Sequence, residues 1–107
     1  MDPGIVLVLC TVPDRSTAIR LADLVLGKRL GAGVSVVPGV ESHYVWEGKR
    51  EVAQELLLLI KTTRERWGVL EAELVQAHPY ECPEVVMVEA AEVMERYASW
   101  VREGSRI

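Results

Sequence analysis

Three segments of this 107-residue chain are apolar at consecutive positions, and this pattern restricts the possible folds more than any other feature. The segments are IVLVLC from Ile5, ELLLLI from Glu55 and EVVMV from Glu84. A strand with one face in water alternates apolar and polar residues, so these segments predict strands buried on both faces. A chain of this length forms a single domain, 1–107, with too few residues to cover both faces of a sheet. We therefore expect an obligate oligomer.

A helix and a second strand follow the first strand. Asp14 or Ser16 can cap the helix, whose apolar residues recur at helical spacing until Gly31 ends it. Valines and aromatic residues then predict a long strand over 32–46. An internal Pro-Gly step predicts a bend in this strand, because a proline inside a strand implies an edge or a bulge.

A glycine-containing turn at 47–49 predicts that the second and third strands form an antiparallel hairpin. The third strand, EVAQELLLLIKT, leads to a helix that opens near Thr62 or Thr63 and closes at His78. The fourth strand, EVVMVEA, precedes a short amphipathic helix over 92–104. The predicted elements follow the βαββαβ order of the α+β ferredoxin-like split βαβ sandwich, with one helix added at the end. Right-handed crossovers place the first and third strands at the centre of an antiparallel sheet, with the fourth beside the first and both crossover helices on one face.

Charge and hydropathy argue against several classes of partner. The 16 acidic and 12 basic residues give a net charge of -4 without a basic block, so we expect no nucleic-acid partner. No apolar run reaches the ~18 residues of a membrane span, and Asp2 stands where a secretory signal carries positive charge. The distant Cys10 and Cys82 have neither zinc-ribbon nor disulfide-framework spacing. We expect a cytoplasmic protein.

The predicted topology brings residues with metal-binding side chains to one rim of the sheet. The C-terminal end of the first strand lies beside the start of the fourth, so Cys10 is expected to approach Glu84. The segment QAHPYECPE leads into that start and brings His78, and potentially Cys82, to the same rim. Sulfur with imidazole favours copper or zinc over magnesium or calcium, and the affinity order places copper first.

Each of these residues also has a purely structural interpretation. A cysteine in an apolar strand can be a small hydrophobe, and His78 can end its helix by bonding the last carbonyls. Glu84 can cap a helix or pair with a lysine, and Cys82 can be a free thiol with no role. The large aromatic residues are interpreted as core and interface residues rather than a ligand box: Tyr44, Trp46 and Trp100.

Several segments together resemble the CutA divalent-ion tolerance proteins: LCTVPD, KRLGAGVSVVPGVESHYVWEG, ELLLLIKTT, HPYECPE and YASW. The resemblance implies a homotrimer of ferredoxin-like subunits, with copper bound by Cys10, His78 and Glu84. Gly33 stands where the family commonly has a second cysteine, which excludes a metal role for that position. His43 and Cys82 are not features of the family pattern, and we interpret them as local variation.

These observations predict a non-catalytic protein that binds a divalent metal ion and supports metal tolerance. No nucleophile, base and orienting group are spaced as an enzyme requires, and no glycine-rich phosphate loop follows a strand. The alternative is a scaffold similar to the PII signalling proteins, which binds a small molecule or a protein partner between subunits.

Overall fold

The structure is a computed structural model that describes residues 4–106. Asp2 and the two ends of the expected 1–107 domain lie outside the described residues. The elements occur in the expected order, with a single 3₁₀ turn, Arg64–Arg66, before the second helix. They are β1 (Ile5–Val12), α1 (Arg15–Gly27), β2 (Gly33–Trp46), β3 (Lys49–Thr63), α2 (Trp67–Ala77), β4 (Val86–Glu89) and α3 (Glu95–Gly104).

The four strands form one sheet in the order β2-β3-β1-β4, and every neighbouring pair is antiparallel. The two most apolar strands, β1 and β3, are therefore central, and β4 lies beside β1 as the right-handed crossovers predicted. This topology confirms the α+β ferredoxin-like arrangement.

The main core lies between one face of the sheet and helices α1 and α2. Alternate residues of β1, from Val6 to Val12, point into this core together with Leu58 and Ile60 of β3. Leu21 of α1 and Leu74 of α2 close it from the helical side. The Asp14 side chain caps α1 by accepting a hydrogen bond from the Thr17 amide at 2.8 Å, which decides between the two predicted caps.

Helix α3 packs on the opposite face at one end of the sheet. Ile5 points away from the main core and forms a second, small cluster with Ala98 and Val101 of α3. The indole of Trp100 lies over Gly33, where an added Cβ would be 3.2 Å from the ring. The rest of this face is uncovered and apolar, with residues that are half-buried or exposed: Leu7, Leu9, Val37, Leu57, Leu59, Val86 and Val88.

The β2–β3 hairpin extends past the rest of the sheet. β1 pairs with β3 only between Leu56 and Thr63, so residues 40–55, which we call the arm, pair only with each other. The predicted bend is present as a register shift between Val37 and Val40. At the tip, Glu47 and Gly48 have φ values of 51° and 79°, the positive values that a tight two-residue hairpin turn requires.

Several predicted boundaries differ from the structure. α1 ends at Gly27 rather than at Gly31, because Lys28 is its C-cap and Arg29 adopts a left-handed conformation with a φ of 53°. β4 begins at Val86 rather than Glu84, because Pro83 has no N–H for a ladder and the pairing with β1 stops at Leu9 and Val86. Thr62 does not open α2, since its hydroxyl donates to the Leu30 carbonyl at 2.6 Å from inside β3. The last helix begins at Glu95 rather than residue 92, and the preceding residues include no Ser, Thr, Asn or Asp to cap an earlier start.

Candidate functional site

Cys10 lies at the C-terminal end of β1, on the face that points into the main core. Its side chain is fully buried, and its sulfur is 3.9 Å from the Thr11 carbonyl oxygen. Burial, and then the carboxylates of Glu84 and Glu55, raise the pKa of the thiol to about 12. The sulfur therefore carries its proton at neutral pH and is a poor nucleophile.

His78 ends α2, and its imidazole is held by two backbone groups. Its own amide donates to the Leu74 carbonyl at 2.9 Å, which closes the last turn of the helix. Nε2 lies 2.8 Å from the Thr11 carbonyl oxygen, and Nδ1 accepts a hydrogen bond from the Tyr80 amide at 3.1 Å. A carbonyl can only accept and an amide N–H can only donate, so the pair of contacts fixes the tautomer with its proton on Nε2. The histidine thus joins α2 to the end of β1.

Glu84 lies in the irregular segment before β4 and is exposed. Its negative charge contributes to the raised pKa of the Cys10 thiol. Thr11 lies between the three predicted ligands, since its carbonyl contacts Cys10 and His78 and the residue lines the same cavity as Glu84. The structure brings the trio to one edge of the sheet.

Proximity does not arrange these residues as a coordination site. The Cys10 sulfur is in the core, and both ring nitrogens of His78 already have hydrogen-bond partners. Within residues 4–106, no group of three or more His, Cys, Asp or Glu side chains is placed to hold a metal ion. In this geometry the residues do not fit a resident metal, and copper binding stays a prediction.

A cavity of about 640 Å³ opens between the arm and the segment that follows α2. The two residues interpreted as local variation both face it: Cys82 is an exposed free thiol, and Nε2 of His43 lies 2.6 Å from a carboxylate oxygen of Glu41. Neither Cys10 nor His78 is among the residues that line it.

Two residues of this cavity were not identified from the sequence. Glu55 is 7% exposed, and its Oε2 accepts a hydrogen bond from the Tyr80 hydroxyl at 2.7 Å. Burial and this carboxylate raise the pKa of the tyrosine well above its usual value, so the phenol remains a donor. The sequence signal for Glu55 was its position at the start of the apolar run ELLLLI. A glutamate in that position usually marks only the end of a buried strand segment, so it did not indicate a site.

Comparison with known proteins identifies the family. Residues 6–104 match the family model described as CutA1 divalent ion tolerance protein. The chain belongs to this CutA1 family. A divalent-cation tolerance protein CutA of Yersinia pestis (strain Pestoides F) is 40% identical over 96 residues, which cover 90% of this chain and 81% of that protein.

Solved CutA structures share the fold closely. The divalent cation tolerance protein of Thermus thermophilus is 39% identical, with a TM-score of 0.92 over 95% of this chain and 99% of that chain. A CutA protein of Archaeoglobus fulgidus, named as periplasmic, is 27% identical, with a TM-score of 0.92 over 95% of this chain and 99% of that one. Among residues 4–106, no helix has the length and apolar character needed to cross a membrane.

Proposed function

We propose that this protein supports tolerance of divalent metal ions, as a non-catalytic homotrimer that binds copper. The observation that carries the proposal is membership of the CutA1 divalent ion tolerance family. The positions of Cys10 and His78 at the C-terminal end of β1, and the influence of the Glu84 charge on the Cys10 thiol, support the choice of ligands, which would have to rearrange to bind a metal. Catalysis is not proposed, because the buried Cys10 thiol is protonated at neutral pH and is therefore a poor nucleophile.

The proposed metal binding competes with interactions of the metal-free protein. A thiolate ligand requires loss of the Cys10 proton, whose pKa is raised to about 12, and an imidazole ligand requires the loss of a hydrogen bond of His78. The proposal therefore predicts weak affinity at neutral pH that increases as the pH rises. Copper is favoured over zinc because it stands higher in the affinity order of divalent ions for nitrogen and sulfur ligands.

Titration of the intact protein with Cu²⁺ and Zn²⁺ by calorimetry tests this site. Cys10→Ser and His78→Ala are expected to weaken binding at least about tenfold. Cys82→Ser and His43→Ala remove the same types of side chain from exposed positions and are the matched controls. Melting curves of each variant establish that it is folded.

The controls also decide where a metal binds if the proposal is wrong. Affinity that depends on Cys82 or His43, and not on Cys10, would place the ion in the cavity beside the arm. Copper binding that no variant changes would exclude all of these residues as ligands.

The proposal includes a trimer because the sheet face opposite α1 and α2 is apolar and uncovered in one subunit. It includes a cytoplasmic location, in which a reducing compartment would keep the exposed Cys82 as a thiol. Separation of cytoplasmic from periplasmic proteins of the source cell, followed by detection of this chain, checks the location.

A ligand-binding scaffold is the second candidate function, and the cavity beside the arm favours it. Its volume of about 640 Å³ lies within the range of small-molecule sites. The carboxylates that line it disfavour the small anionic ligand expected by analogy with PII proteins.

A further inference from the structure

A second cavity, of about 670 Å³, lies at the end of the sheet opposite the tip of the arm. Gly4, before β1, and residues 63–65, where β3 ends, form one wall, and the C-terminal end of α3 forms the other. Among residues 4–106, no apolar residue of the uncovered sheet face lines this cavity. The subunit contact proposed for that face therefore does not depend on it.

Positive charge dominates the lining of this cavity. Three arginines line it, Arg64, Arg102 and Arg106, against one glutamate, Glu65. We call it the basic pocket. The three arginines and one glutamate give its described lining a formal charge of +2, in a chain whose net charge is -4. Lining of this sign attracts an anion.

The acidic partners of these arginines are all on the surface. The ion pairs are Arg64–Glu89 at 2.6 Å, Arg102–Glu95 at 3.4 Å and Arg106–Glu103 at 3.2 Å, and none of the three arginines is without a partner. The carboxylates are 52%, 84% and 68% exposed. Exposed ion pairs are weak, and a guanidinium has five N–H donors, so an anion in the pocket can join or replace these pairs.

Ser105 is the lining residue that points most directly to a ligand. It is 2% exposed, and its amide donates to the Val101 carbonyl at 3.0 Å. Its hydroxyl has no hydrogen-bond partner, and within residues 4–106 it is the one buried side-chain oxygen or nitrogen of which this is true. Buried polar groups in folded proteins are almost always hydrogen-bonded, so an acceptor is missing at the basic pocket.

The end of α3 would repel an anion if its last carbonyls were uncovered, because the C-terminal end of a helix carries partial negative charge. Arg29 covers them. Its Nε donates to the Arg106 carbonyl at 2.6 Å, and its Nη2 donates to the Glu103 carbonyl at 3.0 Å. A fourth guanidinium thus neutralises this end of the helix beside the pocket.

We propose that the basic pocket binds an anion that carries a phosphate group, held by Arg102 and Arg106 and by a hydrogen bond donated from the Ser105 hydroxyl. A phosphate monoester has a charge of about −1.5 to −2 at pH 7, which matches the charge of the lining. Its three terminal oxygens accept from more donors than the two oxygens of a carboxylate. The site goes beyond the proposed metal role, since none of the proposed metal ligands lines this pocket.

Two sources supply this chemistry, free phosphate and a small phosphate ester, and four probes test both. Glycerol 3-phosphate, inorganic phosphate, acetate and glycerol are titrated separately into the intact, metal-free assembled protein at pH 7 and constant ionic strength. At least one phosphate probe is expected to bind at least about tenfold more tightly than acetate, and glycerol is expected not to bind. The tighter of the two phosphate probes identifies the source. Equal affinity for acetate and both phosphates would overturn the proposal.

Substitutions then locate the bound anion. Arg106→Gln is expected to lower the phosphate affinity at least about tenfold. Arg96→Gln removes the same charge from an exposed position of α3 that does not line the pocket, and is expected to leave the affinity unchanged.

Ser105→Ala separates a ligand contact from a structural role. Without phosphate, the variant is expected to melt at a higher temperature than the native protein, because it lacks a buried hydroxyl with no partner. With phosphate, it is expected to bind several-fold more weakly, because the same hydroxyl no longer donates to the anion.

Three results contradict the site. If Arg96→Gln weakens binding as much as Arg106→Gln, the anion responds only to the general charge of α3. If Ser105→Ala leaves the affinity unchanged, its hydroxyl does not contact the anion. If the assembled protein binds neither phosphate probe at millimolar concentration, the proposal is wrong. Metal titration is independent of all three results, so the metal proposal can fail or hold separately.

Discussion

Cys10 links the protonation of one side chain to the stability of the fold. Its pKa is about 12 in the folded protein against an ordinary value of 9.0, because the thiolate would be buried beside Glu84 and Glu55. The folded state therefore holds the proton more tightly than the unfolded state does. This contribution to the free energy of unfolding is complete below about pH 9 and is lost as the pH rises toward 12.

Comparison of the native protein with Cys10→Ala isolates this effect. The native protein should have the larger free energy of unfolding at pH 8. The difference between the two proteins should shrink steadily between pH 9 and 11, because only the native protein has this thiol and loses its contribution. Guanidine unfolding at each pH measures the difference. A difference that is constant across this range would mean that the thiol titrates as it does in an unfolded chain.

The sequence predicted which residues lie toward this edge of the sheet. It did not predict their hydrogen bonds or the protonation of the thiol. Antiparallel pairing of β1 and β4 is enough to bring Cys10 near Glu84. The hydrogen bonds of His78 depend on where the Thr11 carbonyl and the Tyr80 amide point, which side-chain types do not reveal. Glu55 was missed for the same reason, because its burial depends on a tyrosine 25 residues away in sequence.

Among the elements, the strands were predictable and several of their ends were not. Continuous apolar runs identify β1 and β3 because no exposed strand has this pattern. The start of β4 depends on how far its pairing with β1 continues past a proline, and the start of α3 depends on a cap that is absent. Both starts depend on contacts between elements or on local hydrogen bonds, and the hydrophobic pattern of a sequence reports neither.

Two helical glycines provide a matched test of packing at the level of elements. A Cβ on Gly104 of α3 would lie 2.6 Å from the Cβ and 3.0 Å from the Cα of Ala32, so α3 would have to move. Gly104→Ala is expected to destabilise the protein by about 1–3 kcal/mol. Gly68 of α2 has open space around its Cβ position, and Gly68→Ala is expected to stabilise by about 0.5–1 kcal/mol.

Chemical unfolding of both glycine variants measures these opposite changes. The native protein is the common reference, and the same substitution is made in each helix. Destabilisation by Gly68→Ala as well would show that helix propensity does not determine the outcome. A neutral Gly104→Ala would show that α3 is free to shift on the sheet.

The whole molecule has a sheet that is covered by α1 and α2 on one face and by α3 at only one end of the other. Leu7 of β1 pairs with Val88 of β4, so both point to the uncovered face. Val88 is 46% exposed in the single chain, whereas Val69 is 49% exposed on α2. The two valines are thus equally accessible on opposite sides of the subunit.

If the uncovered face joins subunits, a charge at Val88 will be far more disruptive than one at Val69. The native protein is expected to sediment as a trimer at micromolar concentration, and Val88→Glu as a subunit of 11.9 kDa. Val69→Glu should sediment as the native protein does. A monomeric native protein, or equal effects of the two substitutions, would contradict the proposed assembly.

The sheet order also has a consequence for synthesis on the ribosome. Within residues 4–106, the first strand is flanked on one side by the last, since β4 completes the ladder beside β1. A nascent chain can form the local β2–β3 hairpin early. The backbone N–H and C=O groups on one edge of β1, however, have no strand to pair with until residue 89 has left the exit tunnel. Folding of this sheet therefore finishes only after β4 has emerged.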